Sequence, residues 1–120
     1  MRMLMELIGQ HASELPDVLA ARLRSAQDSR RQPPDLAVLC RGSGFREVTP
    51  SRLELTTTVP DIDAWWDMQW SHGVRTFLRA FDPSTLEEIK REATVRLDPL
   101  RSKDGTIPIV LTMAACHAVK

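Results

Sequence analysis

Three tryptophans at helical spacing, Trp65, Trp66 and Trp70, are followed within about a turn by His72 and Arg75. Trp66 and Trp70 are four apart, share one helix face and offer flat surfaces to an apolar or aromatic molecule. An imidazole that titrates near neutral pH is suited to take a proton from a hydroxyl, and a guanidinium to hold an anionic group. His72 is therefore the candidate catalytic base, and Trp66, Trp70 and Arg75 are the candidate substrate-binding residues. Packing alone also accounts for such residues, because a helix this apolar buries its aromatic side chains in a core or an interface whether or not a ligand is present. His117 lies in an apolar strand and reads as a core or interface imidazole. His11, beside Ala12-Ser13 and ahead of a helix, carries no signal of its own.

The rest of the chemistry is defined by what the chain lacks. Gly42-Ser-Gly44 follows a helix and precedes a strand, the reverse of the strand-to-helix order that aims amide groups at a phosphate, so it reads as a helix stop. There is no Gly-x-Ser-x-Gly elbow, phosphate loop, His-Glu-x-x-His or Cys-x-x-Cys. Cys40 and Cys116 lie far apart in sequence and read as two buried thiols, with neither disulfide-scaffold nor zinc-site spacing. Basic and acidic residues balance at 16 each, which argues against nucleic acid and against an acidic membrane surface as partners. The opening apolar run is interrupted by Glu6 and lacks a cleavage context, so the expected location is the cytoplasm.

These residues need elements to position them. Met3, Leu4, Leu7 and Ile8 make a short amphipathic helix, and Leu15, Val18, Leu19 and Leu23 mark a second one. Pro33-Pro34 ends that region, and Asp35 caps a helix that stops at Gly42-Ser-Gly44. This gives a helical cap over residues 1–32 and a half-domain over residues 33–120. Ser51–Val59 alternates apolar and polar residues like a solvated edge strand. Asp61 or Asp63 caps the Trp-rich helix, whose apolar stripe from Ile62 to Phe81 predicts about five continuous turns. Pro83 opens another helix, with Ser84 and Glu87 as an alternative capping-box start, and Gly105 turns the chain into Thr106–Val119. That final segment is apolar on both alternating faces, as in a central strand covered front and back. One central strand beside one edge strand leaves an unpaired side, so the sheet is expected to continue onto another chain.

The order of elements, with Gly44-Phe45-Arg46-Glu47-Val48 before the edge strand, the Asp63-Ala-Trp-Trp helix after it and a long apolar strand at the end, carries a resemblance. It is similar to the C-terminal half of class I S-adenosylmethionine-dependent methyltransferases, in the group related to the ubiquinone and menaquinone-biosynthesis methyltransferases. The resemblance covers residues 35–120, and residues 1–32 only loosely. It implies an α/β chain with a partial Rossmann-like methyltransferase fold, its helices packed on a small antiparallel β-pair that completes a larger sheet by oligomerisation or partner pairing. In that family a seventh, antiparallel strand is inserted between the fifth and sixth, which accounts for a doubly apolar Ile107–Val119. The family holds S-adenosylmethionine through a Gly-rich loop and an acidic residue that this chain lacks. The implied activity is therefore methyl transfer to a small molecule only when a cofactor-binding half is supplied, with no cofactor bound by the chain alone. The implied partner is a second copy or a companion methyltransferase chain, paired through Ile107–Val119, with the Met1–Ile8 helix as a further contact in the non-catalytic alternative. A pseudo-enzyme that serves only as an interaction module, and a cyclase-like protein that holds a small apolar ligand between its tryptophans, are the two alternatives.

Overall fold

Residues 2–120 are described by a computed structural model as a mixed α/β chain. In chain order they form α1 (Arg2–Gln10), a 3-10 turn (Ala12–Glu14), α2 (Asp17–Arg31), α3 (Leu36–Gly42), β1 (Glu47–Val59), α4 (Ile62–Gln69), α5 (Arg75–Leu78) and α6 (Pro83–Leu97). A second 3-10 turn (Asp98–Leu100) and β2 (Ile107–Val119) follow. Met1, the first residue of the expected Met1–Ile8 helix, lies outside the described residues.

The helix starts follow their caps. Asp35 Oδ1 accepts from the amides of Ala37 and Val38 at 2.9 and 3.2 Å, and Asp61 Oδ1 accepts from that of Ala64 at 2.8 Å. Each satisfies donors that a first helical turn leaves without intrahelical partners. For α6 the start is Asp82 with Pro83 in the first turn, so the alternative capping box at Ser84 and Glu87 is not used. Gly44 and Gly105 take φ of +94° and +85°, which lets the chain leave α3 and enter β2 without the clash a Cβ would bring.

The single five-turn helix expected over 62–81 is two helices. After Gln69 the bonds shorten to the three-residue pattern, Trp70 N to Asp67 O, Ser71 N to Met68 O and His72 N to Gln69 O. Ser71 Oγ also donates to Met68 O at 2.6 Å, a local bond that competes with helix continuation. Gly73 adds its own low helix propensity, and the helix resumes at Arg75. Apolar spacing survives the break, since Val74, Phe77, Leu78 and Phe81 are all buried.

The chain divides into two compact units. The first takes the residues up to Arg31 together with Thr58–Pro108, and the second takes Gln32–Thr57 and Ile109–Lys120. One boundary falls beside the Pro33-Pro34 break; the other two cut through β1 and β2.

Helix against helix makes the core of the first unit, with α1 and α4 both packed on α6. Leu4, Ile8, Leu78, Ile89 and Ala93 are fully buried there. Around this core Gln27 Nε2 donates to Met5 O at 3.1 Å, and Lys90 Nζ donates to Asp63 Oδ1 at 2.7 Å, tying α2 to α1 and α6 to α4.

In the second unit β1 and β2 form a two-stranded sheet. Arg46 N donates to Val119 O at 3.0 Å, so the start of one strand meets the end of the other and the pair is antiparallel. Ala37 is the one buried apolar residue of this unit among those described. Leu53 and Leu55 on β1 and Val110, Leu111, Met113 and Val119 on β2 are all exposed. The expectation of a strand covered on both faces is thus corrected for residues 109–119 of the single chain: Ile109, Ala115, Cys116 and Ala118 are half-buried and none of the segment is buried. Each strand has one hydrogen-bonded neighbour. Cys40 and Cys116, distant in sequence, are neighbours in this unit, where burial and the adjacent Cys40 thiol push the Cys116 thiol up. Neither is deeply buried.

Candidate functional site

Trp66 is buried on α4 beside Trp65, with ring centroids 6.5 Å apart, and Trp70 at the end of that helix meets Trp66 edge to face at 6.3 Å. Trp66 thus neighbours both of the other rings, tilted against Trp65 and edge to face with Trp70. His72 lies within the helix break, Arg75 opens α5, and both are exposed. Their residue types suit proton transfer and anion binding, but the break at Ser71–Val74 ends the continuous helical spacing that linked them to Trp66 and Trp70. His117, read as an interface or core imidazole, is exposed on β2.

A different histidine lies among chemistry-bearing groups. His11 follows α1 and precedes the first 3-10 turn, and its side chain is only 14% exposed. Its ring stands edge-on to Phe81, with centroids 6.4 Å apart. Nδ1 lies 3.0 Å from Glu14 Oε2, and the other oxygen of Glu14 accepts from Thr85 Oγ1 at 2.7 Å. Thr85 is itself buried in the first turns of α6. These two bonds, the threonine's foremost, hold the Glu14 carboxyl below its ordinary value of 4.5. On the opposite side of the ring Nε2 is 3.7 Å from Glu92 Oε1. Glu88, one turn earlier on α6, brings a further oxygen, and the donor atoms of His11, Glu88 and Glu92 all lie within 4.8 Å of one another. Sequence reasoning passed over this cluster because 11 and 88–92 are far apart along the chain. The traces it left are short: His11-Ala-Ser-Glu14 and Glu88-x-x-x-Glu92, each at a spacing that puts two side chains on one side of a helical turn.

A separate recess of about 440 Å³ opens between α1 and α2, lined by Arg2, Met5, Glu6, Gln27, Arg30 and Arg31. Its charges are partly answered, Arg2 by Glu6 at 3.4 Å and Arg31 by Asp28 at 3.8 Å. No family model, curated protein or solved structure matches the chain.

The one Gly-x-Gly of the chain does not fit a nucleotide-binding loop. Gly42-Ser-Gly44 closes α3, and Ser43 N and Gly44 N are spent on the carbonyls of Leu39, Cys40 and Arg41. A nucleotide cradle needs amides free to point at the ligand. No helix among the described residues is long and apolar enough to cross a membrane.

Proposed function

We propose that this chain is the substrate-side, C-terminal part of a methyltransferase-like protein, which transfers a methyl group to a small molecule only when another chain supplies the cofactor-binding half. The observation that carries this reading is the second unit. A two-stranded sheet with exposed Leu53, Leu55, Val110, Leu111 and Met113, in a unit whose one buried apolar residue among those described is Ala37 on α3, lacks a core of its own. Two strands are marginal in water, and apolar surface on both sides favours burial between further layers. An antiparallel terminal strand with one free edge fits a sheet that continues, and the order α3, Gly44-Phe45, β1, Trp-bearing α4, α6, β2 supports the methyltransferase likeness. On this reading the methyl donor belongs to the complementary half, and the partner is a companion chain or a second copy meeting β2.

One observation favours a non-catalytic version of the same architecture. His72 and Arg75 are exposed, and Trp66 is buried against Trp65 and Trp70, so this half offers surface rather than a formed substrate pocket. That version is an interaction module that binds a methyltransferase chain without contributing to its chemistry.

Light-scattering mass on the purified chain, followed by calorimetric titration of the same sample with S-adenosylmethionine, tests the proposal. The expected result is a dimer or larger assembly that releases no heat with the cofactor. A stable monomer that binds S-adenosylmethionine would overturn it.

A further inference from the structure

We propose that His11, Glu88 and Glu92 form a binding site for a divalent first-row transition-metal cation, zinc foremost, at the junction of α1 and α6. The proposal is independent of the methyltransferase reading, because all its residues lie in the helical first unit.

The arrangement has two tiers. The inner one is an imidazole nitrogen and two carboxylate groups, with all donor atoms inside 4.8 Å of one another. His11 Nε2 and Glu92 Oε1 are 3.7 Å apart, longer than a hydrogen bond and close to the roughly 3.4 Å between two donors each about 2.1 Å from a tetrahedral ion. Glu88 and Glu92 stand four apart on α6, where two like charges repel unless a cation sits between them. Two carboxylates and one neutral imidazole balance a divalent charge. The imidazole selects zinc over magnesium or calcium, which prefer all-oxygen ligands.

The outer tier orients the inner one. Glu14 Oε2 accepts from His11 Nδ1 at 3.0 Å, which places the proton on that nitrogen and leaves the Nε2 lone pair directed to α6. Glu14 is fixed in turn by the buried Thr85 hydroxyl at 2.7 Å, and Phe81 stands edge-on to the ring. A carboxylate behind a histidine is the arrangement that raises ligand basicity in metal sites. The competing claim on Glu88 is slight: Arg91 Nη2 is 3.9 Å from its Oε1, with both side chains largely exposed. The exposed flank at Glu88 leaves a fourth position for water or an anionic ligand.

The test is titration of the untagged, chelator-treated chain with zinc chloride by calorimetry, with the histidine rings followed by nitrogen-detected NMR. Binding of one zinc per chain is expected, with the Nε2 resonance of His11 shifted. Glu88→Gln and Glu92→Gln, both on partly or fully exposed positions that leave the core intact, should each weaken binding at least tenfold. Glu14→Gln should weaken it about 10- to 100-fold while leaving the stoichiometry at one. Absence of zinc binding, binding that Glu88→Gln and Glu92→Gln leave unchanged, or shifts confined to His72 and His117 would each overturn the proposal.

Discussion

Glu14 shows how a residue on the surface acquires a defined role from two neighbours. Thr85 donates to one of its oxygens and His11 lies against the other, and both favour the ionised form. A carboxyl whose folded value is lowered contributes stability that is fully present above its unfolded value, here 4.5, and is lost as the pH falls through the folded value. A carbon-detected titration of the metal-free chain should therefore place the Glu14 midpoint below 4.5, and Thr85→Val should move it upward, because the hydroxyl is the larger of the two causes. An unchanged midpoint in Thr85→Val would mean that the Thr85 bond is not made in solution. His11 is the residue whose setting the sequence hid most completely: its neighbours Glu88 and Glu92 arrive from a helix more than seventy positions away. His72, which the Trp-rich pattern singled out, is by contrast an exposed turn residue.

The helices carry the stability of the first unit, and α6 is central to it. Ile89 is fully buried on α6, the helix that packs on α1 and α4, while Val95, six residues on, is 69% exposed. Ile89→Ala should cost about 2–5 kcal/mol in a urea titration, the range for emptying a packed site, whereas Val95→Ala should stay within about 0.5 kcal/mol. Equal costs would mean that α6 is rotated from the face described. Much at this scale was readable in advance. Asp35, Asp61, Pro83, Gly44 and Gly105 each mark a boundary through a local bond or a required φ, which is why the starts of α3, α4, α6 and β2 and the end of α3 follow from the residues alone. The break at Ser71–Val74 was not readable from apolar spacing, because Val74, Phe77, Leu78 and Phe81 keep the three-four rhythm on both sides of it. A serine hydroxyl bonding back to Met68 and a glycine two positions on decided the matter locally. The apolar character of β2 was equally plain, but whether a layer covers a strand depends on what other elements are present, and periodicity carries no information about that.

At the scale of the whole molecule the exposed apolar residues of β2 are where the proposed association is tested. Replacing an exposed residue of β2 costs the isolated chain little, yet it places a charge where another chain would pack. Leu111→Lys, at a position 48% exposed, should leave the unfolding midpoint nearly unchanged and lower the light-scattering mass toward that of a single chain. If the mass stayed that of an assembly, association would have to use a surface other than β2. The same strands also impose an order in time. β1 emerges from the ribosome sixty residues ahead of β2, with the helices α4 to α6 in between. At bacterial to eukaryotic synthesis rates β1 waits roughly 3–12 s for its partner. During that interval its unpaired amides and carbonyls are open to the β1 of a neighbouring nascent chain, so polypeptides translated side by side on one message should cross-pair more often than polypeptides made far apart.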